Sequence, residues 1–351
     1  MSRIVAVAPV LPPHRYRQAE VTEALAATIP GADRSLLERV HRSAGVSHRN
    51  LALPIEEYAG LRGFGAANDA FIQIGSELGA RAVRAALGSA GLAPDEVDII
   101  LTTSVTGIAA PSLDARLVET VGLRDDIRRL PSFGLGCVAG AAGTARVHDL
   151  LRGDPDAVAI LLSVELCSLT VQRDDVSTAN LVGSGLFGDG AAALVMVGER
   201  RAQRLGRPGP TIVDSRSRLY PGTDRVLGWD VVDSGFRLVL APGLSELVES
   251  SLGADLGDFL AGHDLKADDV IGWVVHPGGP KVLDAVTSAL GLPAEALARS
   301  RESLRQVGNL SSASVLHVLA DLMRDPPPPD SPGVMLAMGP GFSVEMVLMR
   351  W

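Results

Sequence analysis

The chain has 351 residues, of which 46% are hydrophobic and 21% are charged, and these proportions exclude a disordered or fibrous protein. Its 41 aspartates and glutamates outnumber 32 lysines and arginines, and the formal net charge of −9 excludes a global basic field that would collect nucleic acid or an anionic membrane surface. Because Cys137 and Cys167 are too few for a disulfide framework, and neither a signal peptide nor an apolar run of about 20 residues is visible, we expect a cytoplasmic protein without stable membrane insertion.

Apolar and amphipathic segments alternate along the first half of the chain. Runs rich in Val, Ile and Leu predict strands at residues 3–8, 97–103, 157–164 and 191–197. Ala-rich amphipathic patterns predict a helix at residues 77–90 and another that opens near Cys137. This alternation is typical of βα units that build a largely parallel sheet, so the fold class is α/β.

The second half repeats this order loosely. Residues 198–209 are polar, basic and Gly-rich, which is typical of a surface connection, so we place one domain at residues 1–200 and a second at residues 201–351. The elements predicted after the connection are helices at 244–260, 280–290 and 311–323 and strands at 270–276, 334–338 and 343–349. The proline-rich segment 325–332 predicts an extended linker. Two halves with similar patterns suggest an internal duplication.

Cys137 follows a Gly-rich turn and precedes the predicted helix, in the segment LPSFGLGCVAGAAG. At a helix entrance a thiol meets unpaired N–H groups and the positive end of the helix dipole, and both favour the thiolate and lower the thiol pKa. A buried core cysteine is the alternative interpretation of this segment. Cys167 follows an apolar strand without such a turn, and we interpret it as a pocket-wall or core residue.

His276 lies just past an apolar strand, in a turn set by Pro277 and two glycines, and ligands of open α/β sheets gather at such strand ends. Asn309 follows Gly308 at the start of another predicted helix. It could serve only as a helix N-cap, but its neutral carboxamide could also join an imidazole in an oxyanion hole.

The other histidines lack a Gly-framed position at a strand end and are interpreted as surface or helix residues: His14, His41, His48, His148, His263 and His317. None has zinc-site spacing alongside a cysteine, and no phosphate-binding loop with Lys-Ser or Lys-Thr is present. We therefore expect neither a metal nor a nucleotide cofactor.

Five motifs in this order resemble the type III polyketide synthases, the chalcone synthase-like family, nearly from end to end. They are GCVAG (136–140), LFGDGAAALV (186–195), HPGGP (276–280), GNLSSAS (308–314) and GPGFSVE (339–345). Initiating β-ketoacyl-carrier-protein synthases share the Cys-His-Asn set, but their histidine usually has a different local sequence from HPGG. The resemblance implies a duplicated, thiolase-like αβαβα five-layer fold, normally found as a homodimer.

The resemblance also implies roles for single residues. Cys137 would accept the starter acyl group, His276 would pair with its thiolate, and Asn309 would join His276 in polarising the thioester carbonyl. The residues implied to bind substrate are Phe187 and Phe236 as gatekeepers, with Thr170, Cys167, Ser311 and Ile108 at cavity positions. Of the basic trio that holds coenzyme A in the plant enzymes, Arg39 aligns, and Arg42 lies close by as a substitute.

The implied reaction is decarboxylative Claisen condensation with malonyl-CoA on an acyl starter, which arrives on CoA or on an acyl-carrier protein. Cyclisation of the poly-β-ketone would give a resorcinol or a pyrone, and small residues at 102–112 and at Ser311 leave room for a fatty-acyl starter. An initiating synthase that makes one β-keto product is the nearest alternative. A non-catalytic acyl-binding or scaffold protein with the same fold is another.

Overall fold

The computed structural model describes residues 1–31 and 33–351. Its strands are β1 (Ser2–Val10), β2 (His14–Arg17), β3 (His48–Leu51), β4 (Ile99–Ser104), β5 (Arg128–Phe133), β6 (Val158–Leu166), β7 (Asp189–Gly198), β8 (Thr211–Leu219), β9 (Leu227–Val232), β10 (Gly235–Leu240), β11 (Gly272–Val275), β12 (Pro332–Gly339) and β13 (Ser343–Arg350). Its α-helices are α1 (Gln18–Thr28), α2 (Arg34–Ser43), α3 (Gly63–Ala90), α4 (Leu113–Val121), α5 (Ala139–Gly153), α6 (Thr178–Leu186), α7 (Glu199–Leu205), α8 (Leu244–Ala261), α9 (Pro280–Leu290), α10 (Ala298–Val307) and α11 (Ser314–Arg324).

Nine of these strands form one sheet in the order β11-β12-β13-β8-β1-β7-β6-β4-β5. Strands from the two halves of the chain meet where β1 pairs with β8, through Ser2–Ile212 and Arg3–Thr211. The sheet is mixed rather than largely parallel as expected, because β6 is parallel to β4 but antiparallel to β7, and β12 is antiparallel to β13. Only a short turn joins β12 to β13, and a parallel pair would need a long crossover.

Helices cover both faces of each half of the sheet, which gives five layers. The middle layer is α5 and α11, and their apolar residues share a buried cluster with Leu161 of β6 and Met335 of β12. Neighbouring residues of β6, such as Leu162, point the other way and pack with α3, as the alternation of side chains along a strand requires. Helices α8 and α9 cover the outer face of the second half. The segments that hold Cys137 and Asn309 directly precede these two middle-layer helices, whereas His276 follows strand β11.

Several predicted elements have the expected bounds, and others differ. The helix predicted at 280–290 is confirmed as α9, whereas the helix predicted at 77–90 begins earlier, at Gly63. The predicted connection at 198–209 contains the short helix α7. Residues after Asp325 carry no helix or strand before β12, as the proline-rich linker predicted. Within the described residues, no helix is both long and apolar enough to cross a membrane.

Candidate active site

Cys137 lies in a 3₁₀ turn, Gly136–Val138, directly before helix α5. Gly136 has a φ of +58°, and a Cβ there would lie 2.5 Å from Cδ of Pro340, so only glycine allows this turn to pack against the end of β12. The side chain of Cys137 is buried, and its thiol donates to Oγ of Ser311 over 3.7 Å. The turn therefore aims the sulfur at the segment that follows Asn309.

Asn309 is held on both sides of its backbone by the turn that ends helix α6. Its N–H donates to the carbonyl of Leu186, and its carbonyl accepts from the N–H of Gly188, each over 2.9 Å. The side-chain Oδ1 accepts from the N–H of Ser311 over 2.8 Å, a local bond across two residues. Asn309 is not the N-cap considered from the sequence, because Ala313 occupies that position of α11. The Nδ2 group donates to the carbonyl of Gly278 over 3.3 Å. The local bond to Ser311 thus uses only the oxygen, and the NH₂ group faces the HPGG turn.

His276 directly follows β11, and its N–H continues the parallel ladder by donating to the carbonyl of Leu336 over 2.8 Å. The same HPGG turn that accepts from Asn309 folds back here, since the N–H of Gly278 donates to the carbonyl of His276 over 2.9 Å. The imidazole is buried, and its Nδ1 has no hydrogen-bond partner among the described residues. Cys137, Asn309 and His276 thus belong to one connected cluster, through Ser311 and Gly278.

Burial dominates the electrostatics of this cluster. It raises the pKa of the Cys137 thiol to about 12, against the smaller lowering effects of hydrogen bonds from Ser311 and Asn309. It also lowers the pKa of His276 to about 3. The shift of the Cys137 pKa is thus opposite to that expected from the helix entrance, because desolvation of the sulfur outweighs the helix terminus. Thiol and imidazole are both neutral, so the imidazole is able to accept a proton.

Three of the predicted substrate-binding residues, Phe187, Thr170 and Cys167, line one cavity of about 190 Å³. Trp229, on β9, lines the same cavity, and its ring centroid lies 6.4 Å from that of Phe187 and 6.5 Å from that of Phe236. The indole of Trp229 is thus near both expected gatekeepers, and it was not predicted from the sequence. No local sequence signal marked Trp229, because its place at the cavity depends on the pairing of β9 with β10, which sets it opposite Leu238.

The remaining predicted site residues lie outside that cavity. Ile108 is 46% exposed and lines a second cavity of about 140 Å³ together with Phe133. Arg39 and Arg42 are exposed on α2, and neither forms a salt bridge with another described residue. The opposite side of α2 packs on α6, where Nε2 of His41 and the hydroxyl of Ser184 are hydrogen-bonded over 3.1 Å.

Two buried charged residues near the site were not predicted. Glu165 is the penultimate residue of the apolar strand β6, and its carboxylate accepts from the hydroxyls of Ser312 and Thr106. Burial raises its pKa, and a negative charge on Glu165 would add to the elevation of the Cys137 pKa. The second residue is Arg49, which is also fully buried. Among the described residues, no group of histidine, cysteine, aspartate and glutamate side chains is arranged to hold a metal ion.

Comparison with known proteins identifies the family. Residues 37–207 match the family model of FAE1/Type III polyketide synthase-like protein, and residues 211–351 match that of Chalcone and stilbene synthases, C-terminal domain. The chain is 55% identical over 351 residues to 1,3,6,8-tetrahydroxynaphthalene synthase of Streptomyces peucetius subsp. caesius, which covers 99% of this chain and 93% of that protein. The chain belongs to the type III polyketide synthases.

Structural comparison agrees with this assignment. The crystal structure of 1,3,6,8-tetrahydroxynaphthalene synthase from Streptomyces coelicolor A3(2), a bacterial type III polyketide synthase, superimposes with a TM-score of 0.92 at 30% identity and covers 99% of both chains. A third relative, the synthase of the same name from Streptomyces griseus, is 34% identical over 91% of this chain and 84% of its own. The predicted family and thiolase-like fold are confirmed. This type III polyketide synthase is a decarboxylative condensing acyltransferase that uses CoA-linked substrates.

Proposed function

We propose that Cys137, His276 and Asn309 catalyse the condensation. The observation that supports this is the connected cluster: the thiol of Cys137 contacts Ser311, the N–H of Ser311 contacts Oδ1 of Asn309, and Nδ2 of Asn309 contacts the turn of His276. Burial keeps bulk water from all three side chains. A dry site strengthens every electrostatic interaction with a substrate carbonyl.

Loading begins when the imidazole of His276 takes the proton of the Cys137 thiol. The sulfur attacks the starter thioester carbon, the C–S bond to CoA breaks, and the departing CoA thiolate takes the proton back from His276.

In extension, malonyl-CoA loses carbon dioxide, and the electron pair of the broken C–C bond leaves an enolate whose charge gathers on the thioester oxygen. The N–H groups of Asn309 and His276 would donate to that oxygen. The enolate carbon then attacks the acyl group on Cys137 and releases the thiolate.

Covalent loading tests the role of Cys137. We expect Cys137→Ala to bind no radiolabelled starter, whereas the matched variant Cys167→Ala, which also loses a buried thiol, retains loading. Label that remains covalently attached to the Cys137→Ala protein would refute the assignment.

Malonyl decarboxylation tests the role of Asn309. We expect Asn309→Ala to release carbon dioxide about 10²–10³-fold more slowly, because one oxyanion donor is lost. Covalent loading of a radiolabelled starter on Cys137 should be retained. Unchanged decarboxylation would contradict the oxyanion role.

For the substrate, we propose that malonyl-CoA serves as both starter and extender and that the product is a polyhydroxylated naphthalene. The support is the identity of 55% with a 1,3,6,8-tetrahydroxynaphthalene synthase along nearly the whole chain, together with the aromatic side chains of Phe187 and Trp229 at the cavity. This differs from the fatty-acyl starter expected from the sequence, which would lead to alkylresorcinols or alkylpyrones.

Mass spectrometry separates these outcomes. Malonyl-CoA alone should give the naphthalene product, and a panel of fatty acyl-CoA starters should not outcompete it. Alkylresorcinols formed in preference would overturn the proposed starter. A single β-keto product formed only from malonyl-carrier protein would favour the initiating synthase instead.

We propose that Arg39 and Arg42 attract the CoA phosphates, because both are exposed on α2 and neither forms a salt bridge with a described acidic residue. Substituting both by Ala should raise the KM for malonyl-CoA and leave kcat nearly unchanged. The difference in KM should shrink at high salt, since salt screens exposed charges. An unchanged KM at low salt would contradict this placement.

We further propose a homodimer built on the free edge of β5. That strand ends the sheet, and its Phe133 is 53% exposed beside the exposed Leu135 and Ile108. An apolar sheet edge left open invites aggregation, so natural proteins cover it. Light scattering should show a dimer that Phe133→Asp weakens, whereas Leu219→Asp, at another exposed apolar residue, leaves it intact. A monomeric wild-type protein would refute the proposal.

A further inference from the structure

Arg49 is a buried cation that binds the turn behind the candidate active site. Its side chain is 1% exposed. Nη1 donates to the carbonyls of Ser184 and Phe187, each over 2.7 Å. Nη2 donates to the carbonyl of Gly185 and to Oε1 of Gln18. All four acceptors are neutral, and three of them are main-chain carbonyls from one turn.

These carbonyls belong to the C-terminal end of helix α6, which ends at Leu186. The last carbonyls of a helix lack intrahelical partners and carry the negative end of the helix dipole, so a cation is stabilised there. The planar guanidinium suits this position because it reaches several acceptors at fixed angles, which an ammonium group cannot do. Burial lowers the pKa of Arg49 to about 10, while Asp189 opposes that change. At neutral pH the side chain remains charged.

The same turn holds Asn309. Leu186, whose carbonyl accepts from the N–H of Asn309, lies between two residues whose carbonyls accept from Arg49. Gly188, which follows the last of them, donates to the carbonyl of Asn309. The turn and the Asn309 segment are in close contact, because a Cβ on Gly308 would lie only 2.9 Å from the carbonyl oxygen of Leu186. A shift of this turn would therefore carry Asn309 with it.

We propose that Arg49 is a positioning residue that fixes the end of helix α6 and thereby aims the carboxamide of Asn309 at the reacting thioester. The inference rests on the role proposed above for Asn309. Arg49 itself touches neither Cys137 nor His276 through a hydrogen bond. It acts only through the main chain of Ser184, Gly185 and Phe187.

The test is the steady-state decarboxylation of malonyl-CoA by Arg49→Lys, Asn309→Ala and the double variant. Misplacement of a catalytic group by about 1 Å can cost 10²-fold in rate, so we expect Arg49→Lys to lower kcat by between about tenfold and about 10²-fold, with KM changed less than about threefold. In the double variant kcat should fall no more than about twofold below that of Asn309→Ala, because residues that act through one another are not additive. In Arg49→Lys, covalent loading of a radiolabelled starter on Cys137 should be retained.

Two further variants separate positioning from general destabilisation. Leu87→Ala removes a buried side chain from α3, far along the chain from this turn, and should keep kcat even if its Tm falls as much as that of Arg49→Lys. Gln18→Leu removes one acceptor of Arg49 and a donor to the carbonyl of Gly185, and should give a smaller loss of kcat. If Arg49→Lys fails to fold, the kcat of Gln18→Leu still tests the positioning role.

Several results would overturn the inference. An Arg49→Lys enzyme with wild-type kcat, a double variant whose losses multiply, or an equal loss of kcat in Leu87→Ala would each show that Arg49 does not position Asn309. If Asn309→Ala decarboxylates normally, the proposed role of Asn309 fails and the inference fails with it. Slow decarboxylation by Asn309→Ala, with Arg49→Lys unaffected, overturns the positioning role alone.

Discussion

Adding one methyl group to helix α5 should separate the two central helices and disturb the candidate site. A Cβ on Gly140 would lie 2.4 Å from the carbonyl oxygen of Ser312 and 2.5 Å from Cγ1 of Val315. Overpacking typically costs about 1–3 kcal/mol, and replacing a helical glycine by alanine returns roughly 0.5–1 kcal/mol. Because Ser312 presents backbone that cannot rotate away, we expect Gly140→Ala to lower the free energy of unfolding by about 2 kcal/mol.

The matched control is Gly153→Ala at the other end of the same helix, where a Cβ meets nothing within 4 Å. This variant should be neutral or more stable by up to about 1 kcal/mol. Urea unfolding of both proteins measures the difference, and acyl loading of Gly140→Ala should fall because Ser312 adjoins Ser311, the contact of the Cys137 sulfur. Equal stability of the two variants would refute the packing argument.

Two other predictions follow from the ionisable groups. Ser311→Ala should move the pH profile of Cys137 alkylation upwards, because the hydroxyl lowers the pKa of that thiol; an unchanged profile would show that the contact has no influence on the thiolate. Burial lowers the pKa of His41 and of His317 to about 4, so between pH about 6.5 and about 4 the unfolded chain binds protons that the folded protein does not. As the pH is lowered through that window, the free energy of unfolding should decrease by up to about 1.4 kcal/mol per pH unit for each histidine. Urea unfolding of His317→Gln at several pH values should show a shallower fall than in the wild type, and an equal slope would contradict the assignment.

The order of elements and the turns that carry the candidate residues could be predicted because their signals are local. A strand such as β6 is a continuous apolar run, and the turn after β11 is marked by Pro277 and two glycines. Helix α9 begins at its proline and ends before Gly291, and its predicted bounds were correct for that reason. Such features need only a few neighbouring residues.

What could not be predicted depends on contacts between distant segments. Nothing in the local sequence marks Arg49 as buried, because its burial depends on contacts with α6, which lies far along the chain. The pKa of Cys137 follows the depth of burial, which the local sequence does not encode, so the helix entrance alone suggested a change in the wrong direction. The mixed sheet likewise depends on the antiparallel pairing of β6 with β7. The apolar pattern of a strand does not show whether it runs parallel or antiparallel to its neighbour.

The glycines of the motifs are needed for these long-range contacts rather than for backbone flexibility. Gly136 allows the cysteine turn to meet Pro340, Gly140 allows α5 to meet Ser312, and Gly308 allows the asparagine turn to meet Leu186. Each is a close approach of one turn or helix to another, and together they bring distant parts of the chain into one dry cluster. The same tight packing raises the pKa of the Cys137 thiol and lowers that of His276. With the thiol pKa raised, the mechanism proposed above requires the proton of Cys137 to pass to the imidazole of His276 as the sulfur attacks.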